Sequence, residues 1–296
     1  MRIGVVGGGA VGLLISGYCA KEHAVTVYTR SKEQAELLQD QGLKLEKNGT
    51  SSIMRMEAEA LGEAQGIDDD LLIIAVKQYQ LETIMPILRK VRSKLLFVQN
   101  GMGHVKYLKE LAAGNDVFVG VVEHGALKTG ANAVVHSGAG VIKVAAYSGE
   151  ASGLGALQGD ADFPFIIEED YLGMLTKKLI VNAMINPLTA IFEVPNGALL
   201  SNPYYQTVFQ EYFNEIANVL ECADTHETLR HVISVCKATA SNRSSMLRDL
   251  EERRPTEVDS ILGYILEMAD QKQCHAPIAR NLYLMVKGKE HDRREN

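Results

Sequence analysis

The feature that most constrains the fold of this chain is a glycine turn close to its first residue. Ile3 to Val6 is a short apolar run with strand propensity, GGGAVG follows it, and Leu13 to Lys21 has the pattern of a helix. A second apolar run at Val25 to Tyr28 completes a strand, turn, helix and strand. A chain that begins in this way predicts a parallel sheet covered by helices.

The glycines of this turn have the GxGxxG spacing of dinucleotide-binding proteins. Gly7 would make the tight turn, Gly9 would let the backbone approach a pyrophosphate, and Gly12 would let the helix pack closely on the strand. The helix N-terminus adds free amides and a positive dipole end. The alternative is a glycine-rich structural turn. We expect a dinucleotide to bind at Gly7, Gly8, Gly9, Ala10, Val11 and Gly12.

The residues after the second strand indicate which dinucleotide binds. An NAD site would have Asp or Glu there for the ribose hydroxyls, whereas this chain has Arg30. A guanidinium forms charge-assisted hydrogen bonds with a 2′-phosphate, so NADP(H) is preferred over NAD(H). Ser31 and Lys32 are candidate helpers. Ser31 also has capping-box spacing with Gln34, which predicts a helix start, and we interpret Lys32 as a solvated helix residue.

Three further apolar runs, Leu71 to Val76, Leu95 to Val98 and Val117 to Val122, predict central parallel strands. Ligands of such sheets bind beyond the carboxyl ends of the strands. Lys77 and Asn100 follow the first two runs and are therefore candidate ligand contacts. A surface lysine and an ordinary NG turn are the alternatives.

Val134 to His136 and Val141 to Ala146, separated by SGAG, predict a hairpin that closes the first domain. His124 and His136 lie near strand ends, and the sequence shows no carboxylate that would orient either ring. We interpret both as structural or solvated histidines rather than as acid or base catalysts.

The β-rich pattern stops after Phe165 to Glu168, and the rest of the chain is helical by periodicity. The sequence therefore predicts an α/β N-terminal Rossmann-type dinucleotide-binding domain, residues 1–166, followed by an all-α C-terminal domain, residues 167–296. A length of 296 residues is sufficient for two domains.

Composition excludes several other classes of protein. The net charge of −7 disfavours nucleic acid and anionic membranes as partners. No apolar run reaches the roughly 18–20 residues of a membrane-spanning helix. The four cysteines lack CxxC spacing, which favours a reducing cytoplasm. His226 and His231 would lie about 140° apart on a helix, so we predict no metal site.

A polar stripe lies on an otherwise apolar helix in the second half of the chain. Lys178, Asn182, Asn186 and Thr189 are spaced by 4, 4 and 3 residues and fall within an arc of roughly 80°. Asparagine is a poor helix former and an unusual choice for a solvated face. We expect a stripe of donors and one cation that lines a cleft, with an ordinary amphipathic helix as the alternative. A lysine there suits a general acid that also polarises a carbonyl.

Proline and serine residues predict the helix boundaries in this half. Pro187 is expected to kink or end the helix near Ile185 to Asn186. Ser245 lies near a helix start and Glu257 just before another. The later helices are predicted at Tyr204 to Cys222, Ser244 to Glu252, Val258 to Gln271 and Ile278 to Lys287.

Together these motifs resemble the ketopantoate reductase (2-dehydropantoate 2-reductase) family, and the resemblance runs from residue 1 to about residue 290. The spacing K-x3-N-x3-NP with SSM and TE-x-D is specific, whereas the glycine motif alone is not. The segments that carry the resemblance are GGGAVG, Arg30, QNG at Gln99 to Gly101, KLIVNAMINPLTAI at Lys178 to Ile191, PNG at Pro195 to Gly197, NRSSM at Asn242 to Met246 and TEVD at Thr256 to Asp259.

The resemblance implies reduction of 2-dehydropantoate by NADPH to (R)-pantoate, in pantothenate and coenzyme A biosynthesis. It implies that Lys178 is the general acid and that Glu257 lies near the nicotinamide. Further cofactor contacts would come from Lys77, Asn100 and Ala126. The implied substrate contacts are Asn182, Asn186, Asn196, Asn242, Ser244, Ser245 and Asn100.

Two alternatives stay open. The chain could reduce a different 2-oxo acid, or it could be a non-catalytic NADP sensor. The sequence also leaves the oligomeric state open, a homodimer included.

Overall fold

The computed structural model describes residues 1–157 and 160–295, which belong to two compact units. The first unit comprises Met1–Gln99 and His104–Met174. The second comprises Asn100–Gly103 and the chain from Leu175 onwards. The domain boundary expected between residues 166 and 167 stays a prediction. The sequence pattern did not predict that Asn100–Gly103 belongs with the second unit.

The first unit contains all of the described strands. In chain order these are β1 (Arg2–Val6), β2 (Ala24–Thr29), β3 (Leu43–Lys47), β4 (Thr50–Met54), β5 (Glu57–Ala60), β6 (Leu71–Ile74), β7 (Lys94–Phe97), β8 (Val117–Val122), β9 (Gly125–Gly130), β10 (Ala133–Gly138), β11 (Ile142–Ser148) and β12 (Phe165–Glu168). Its helices are α1 (Ala10–Cys19), α2 (Lys32–Gln41), α3 (Gln78–Leu88) and α4 (Val105–Leu111), with a 3₁₀ segment at Ala151–Leu157.

The larger sheet has the order β12-β11-β8-β7-β6-β1-β2-β5. Strands β5, β2, β1, β6, β7 and β8 are parallel, and β11 pairs with β8 in the antiparallel sense. From β1 the chain builds outward through β2 and β5, then returns to the other side of β1 to form β6. The carboxyl end of β1 is therefore a topological switch point, where open α/β sheets bind ligands.

The smaller sheet has the order β4-β3-β10-β9. It packs on α1, whose eight residues from Gly12 to Cys19 are buried because the helix lies between the two sheets. Gly17 permits the close approach, since a Cβ there would lie 3.2 Å from a Leu43 methyl group. This environment explains why α1 is apolar on nearly every side.

The expected hairpin between Val134–His136 and Val141–Ala146 is wrong. Strand β10 pairs with β9 and β3 in the smaller sheet, whereas β11 pairs with β8 and β12 in the larger one. The intervening SGAG segment crosses between sheets instead of turning back. The true partner, β9, has the sequence GALKTG, which lacks the apolar alternation that predicts a strand.

The second unit is helical in its described part, as the sequence pattern predicted. Its helices are α5 (Tyr171–Phe192), α6 (Ala198–Ser201), α7 (Pro203–Val219), α8 (Thr225–Ala238), α9 (Ser245–Glu251), α10 (Tyr264–Gln271) and α11 (Pro277–Glu295), with a π-helical turn at Asp259–Gly263. Among the described residues, no helix is both long and apolar enough to cross a membrane.

The end of the stripe helix, one of the two outcomes expected at Pro187, is wrong because α5 continues to Phe192. The kink, which was the other outcome, stays a prediction. Proline removes one backbone hydrogen bond and costs about 3 kcal/mol in a helix interior. Every residue from 181 to 190 is buried, and the packing of the apolar residues among them offsets that cost.

Candidate cofactor and substrate sites

Two glycines of the turn after β1 have no room for a side chain, whereas a third glycine faces open space. Gly7 has a φ of +123°, and a Cβ there would lie 2.9 Å from the Ala75 backbone. A Cβ on Gly12 would collide with the Gly7 carbonyl oxygen. Gly9 is exposed, and a Cβ there would meet no atom within 4 Å. The turn therefore has the tight geometry and the open backbone that a pyrophosphate requires.

Gln34 holds this turn in a way that the sequence did not predict. Ser31 caps α2 by accepting the Gln34 backbone N–H, as expected. The Gln34 side chain does not complete a capping box; its Nε2 donates to the Gly8 carbonyl at 2.8 Å and to the Ala131 carbonyl at 2.7 Å. One amide group thus joins α2, the glycine turn and the turn between β9 and β10.

The candidate cofactor residues of the first unit lie on three elements. Arg30 directly follows β2, is exposed, and makes no hydrogen bond or ion pair with the part of the chain that the structure describes. Lys32 pairs with Glu63 at 3.6 Å, consistent with a surface role. Lys77 is the half-buried N-cap residue of α3, and Ala126 on β9 packs against the apolar core.

Three of the four residues of the polar stripe on α5 are buried. Lys178 is half-buried, Asn182 is 9% exposed, Asn186 is 8% exposed and Thr189 is fully buried. Within the described ranges, the side-chain amides of Asn182 and Asn186 form no hydrogen bond with protein. Two nearly buried amides with unused donors and acceptors, on the same face as a lysine, can bind a polar ligand.

Two segments meet near the end of α5. The hydroxyl oxygens of Thr189 and Ser244 lie 2.8 Å apart and share a hydrogen bond. The backbone N–H of Asn196 donates to the Asn242 carbonyl at 3.0 Å, and that of Gly197 donates to the Ala240 carbonyl at 2.9 Å. The structure thus brings together the PNG and NRSSM segments, which are distant in sequence.

The two serines of NRSSM have different environments. Ser244 is buried and is the N-cap of α9, because its Oγ accepts the Leu247 N–H at 3.1 Å. Ser245 is exposed at the first helical position, and its hydroxyl forms no hydrogen bond with the described residues. Ser244, which also bonds to Thr189, is therefore the cap of α9.

Asn100 and Glu257 form a second group in the helical unit. Asn100 Nδ2 donates to Glu257 Oε2 at 3.0 Å. Gly101 has a φ of +74° and lies against the Ser260 carbonyl, which also accepts the Met102 N–H at 3.1 Å. Ser260 is in the π-helical turn, whose wider backbone accommodates this approach; such turns are frequent at functional sites.

His124 and His136 form a buried chain with Tyr18. The Gly140 N–H donates to His124 Nδ1 at 3.1 Å, so a neutral His124 carries its proton on Nε2. His136 Nε2 then donates to His124 Nδ1 at 3.0 Å, and the Tyr18 hydroxyl donates to His136 Nδ1 at 2.6 Å. Burial lowers the pKa of His124 to about 4. This arrangement supports the structural interpretation of both histidines.

The fold and these side chains define a dinucleotide-binding protein of the Rossmann class with a helical second unit. The family model described as ketopantoate reductase PanE/ApbA matches residues 3–149, and the model of that family's C-terminal part matches residues 170–290. The chain belongs to the ketopantoate reductase family, whose members are dinucleotide-binding oxidoreductases acting on a small keto acid.

Individual relatives agree over nearly the whole length. A 2-dehydropantoate 2-reductase of Bacillus subtilis (strain 168) is 40% identical over 98% of this chain and 98% of its own. One of Listeria innocua serovar 6a is 37% identical over 99% and 98%. The crystal structure of a probable 2-dehydropantoate 2-reductase from Bacillus subtilis has a TM-score of 0.90 at 40% identity, covering 98% of this chain and 100% of that one.

A D-mandelate dehydrogenase solved with NADH and anilino(oxo)acetate shares the fold at 22% identity, with a TM-score of 0.88 over 99% of both chains. Its likeness shows the fold alone. Among the described residues, no group of three or more His, Cys, Asp or Glu side chains is placed to hold a metal ion.

Proposed function

We propose that this chain is an NADPH-dependent 2-dehydropantoate 2-reductase, which forms (R)-pantoate for pantothenate and coenzyme A biosynthesis. The observation that carries the proposal is the buried stripe of α5. It places Lys178 one and two helical turns from two amides that lack protein partners among the described residues. A 2-oxo acid presents a carboxylate and a carbonyl oxygen, which such donors would bind.

In this reaction the reduced nicotinamide supplies a hydride to C2 of the substrate. Lys178 polarises the C2 carbonyl as a cation and donates the proton that the new alkoxide takes up. Asn182, Asn186 and Asn196 hold the carboxylate and hydroxyl groups without adding charge. The remaining proposed substrate contacts are Asn242, Ser244 and Ser245.

The cofactor would be held by the glycine turn, residues 7 to 12, with Arg30 at the 2′-phosphate. The open backbone at Gly9 fits a pyrophosphate. Lys77, Ala126, Asn100 and Glu257 make the further contacts in this proposal.

The role of Lys178 is tested by Lys178→Ala, with Lys177→Ala as the matched control because Lys177 is its exposed neighbour. We expect kcat to fall by roughly 10²–10⁴, as for loss of a general acid, while NADPH affinity stays within a few fold. The control should retain full turnover. Unchanged kcat in Lys178→Ala would exclude Lys178 as the acid.

The second candidate function is the reduction of another 2-oxo acid, because a lysine and two amides on one helix face would polarise and hold the carbonyl of any such acid. Steady-state kcat/KM with NADPH across a panel of 2-oxo acids separates the two. We expect 2-dehydropantoate to be preferred over an analogue that lacks the 4-hydroxyl. Equal turnover of that analogue would reject the proposed substrate.

The proposal includes a homodimer. A ketopantoate reductase of Staphylococcus aureus with this fold is described as dimeric, and α11 of this chain exposes Leu284 and Met285. Light scattering after size-exclusion chromatography tests this, and a monomer at micromolar concentration would contradict it.

A further inference from the structure

Lys128 is a cation on β9 whose direction is set by the register of the smaller sheet. It lies opposite Val134 of β10, and directly opposed residues point to the same face of a sheet. Val134 is buried in the core beneath that face, so Lys128 points towards α1. Gly130 lies opposite Ala133, which leaves Thr129 as an extra residue. Such a bulge bends the strand and redirects the neighbouring side chains.

The Lys128 ammonium reaches the glycine turn. Its Nζ donates to the Gly8 carbonyl oxygen at 2.7 Å, and Gln34 Nε2 donates to the same oxygen at 2.8 Å. Both lone pairs of that carbonyl are therefore used. An ammonium has three donors, so two N–H groups of Lys128 remain for a ligand beside the turn.

Arg30 is a second cation, four residues before Gln34, which shares the Gly8 carbonyl with Lys128. Burial lowers the pKa of Lys128, and the charge of Arg30 lowers it further. Within the described part of the chain, neither residue forms an ion pair with a carboxylate, whereas Lys32 is paired with Glu63. Two neighbouring cations without an acidic partner favour a ligand with a doubly charged anionic group.

The end of β2 is the position at which Rossmann proteins recognise the 2′ substituent of the adenosine ribose. We propose that Lys128 binds the 2′-phosphate of NADP(H) together with Arg30, and so contributes to the choice of NADPH over NADH. This inference rests on the proposed use of NADPH. The 2′-phosphate is preferred over the pyrophosphate because Arg30, at the strand end that recognises the ribose, is the cation beside Lys128.

The test is the binding of 2′,5′-ADP and of 5′-AMP, measured by calorimetry, to the wild-type protein and to Lys128→Gln. The two ligands differ only in the 2′-phosphate. We expect Lys128→Gln to weaken 2′,5′-ADP by roughly 10- to 100-fold, as for loss of a charged hydrogen bond, and to leave 5′-AMP within about twofold. Lys128→Arg, which keeps the charge, should retain most of the affinity, and Lys32→Gln is the matched control.

Equal weakening of both ligands by Lys128→Gln would overturn the inference, because it indicates a contact with the 5′-phosphate that they share or a purely structural role. Unchanged binding of both ligands would also overturn it. If the wild-type protein itself does not prefer 2′,5′-ADP, the proposed cofactor fails and the inference fails with it. If the wild-type protein prefers 2′,5′-ADP and Lys128→Gln keeps that preference, the inference is rejected while the proposed cofactor stands. Should Lys128→Gln unfold, Lys128→Met provides the same comparison.

Discussion

His104 is a buried base that the fold keeps neutral. Its side chain is 0% exposed, and its ring stacks on Phe97 with the centroids 6.0 Å apart. Neither ring nitrogen has a hydrogen-bond partner in the described residues. Burial therefore lowers the pKa of His104 from its ordinary value of 6.5 to about 4.

This shift makes the stability of the fold depend on pH. Between about pH 4 and pH 6.5 the unfolded chain binds a proton at this histidine and the folded chain does not. The contribution of neutral His104 is fully present above pH 6.5 and is lost as the pH falls towards 4. With these two values, lowering the pH from 8 to 5 reduces the free energy of unfolding by about 2 kcal/mol through His104 alone.

His104→Leu removes the titrating group and keeps a side chain of similar volume. Urea unfolding of both proteins at pH 8 and pH 5 gives the difference between their free energies of unfolding. At pH 8 we expect the variant to be more stable by about 1–3 kcal/mol, because two unpaired nitrogens are no longer buried. At pH 5 its advantage should grow by about 2 kcal/mol.

His275→Gln, a change at an exposed histidine, is the control for general effects of charge. Other histidines, such as His124, titrate in both proteins and cancel in the difference. The reasoning would be refuted if the free energy of unfolding of His104→Leu exceeded that of the wild type by the same amount at pH 8 and at pH 5.

Three further predictions concern the helical unit. Gly101→Ala should destabilise it by roughly 1–3 kcal/mol or more, because the new Cβ meets the Ser260 carbonyl at a positive φ; an unchanged thermal midpoint would contradict this. Thr189→Val should lower the free energy of unfolding in urea by about 1–3 kcal/mol, because Ser244 loses its buried partner. Thr189→Ser keeps the hydroxyl and should lower it less. Equal losses in the two variants would show that the hydroxyl is not the cause. Tyr212→Phe should leave the free energy of unfolding unchanged or raise it by up to about 1 kcal/mol, because the buried Tyr212 hydroxyl has no partner among the described residues. A clear loss of stability would show that this hydroxyl does form a stabilising hydrogen bond.

Features determined by neighbouring residues were predictable from the sequence. The glycine turn is one, since Gly7 and Gly12 contact backbone a few residues away or in an adjacent strand. Ser31 is another, since it caps α2 by accepting the Gln34 N–H, as its spacing predicted. These signals need only short-range geometry, which a single sequence contains.

Features determined by distant residues were not predictable. The hydrogen bond between Ser244, the cap of α9, and Thr189 joins residues that are 55 positions apart in the chain. The place of Lys128 beside Gly8 depends on the pairing of β9, a strand without a strand pattern. In both cases the deciding partner is close only after folding.

The stripe on α5 contains polar residues that packing explains at one end of the stripe and not at its centre. At its C-terminal end, Thr189 is fully buried and shares its hydroxyl with Ser244. At its centre, Asn182 and Asn186 are nearly buried, yet their amides have no protein partner in the described ranges. Leucine at either position would bury more apolar surface, so burial alone does not favour these asparagines. Their presence is explained if a ligand completes their hydrogen bonds, with Lys178 on the same face to act on it.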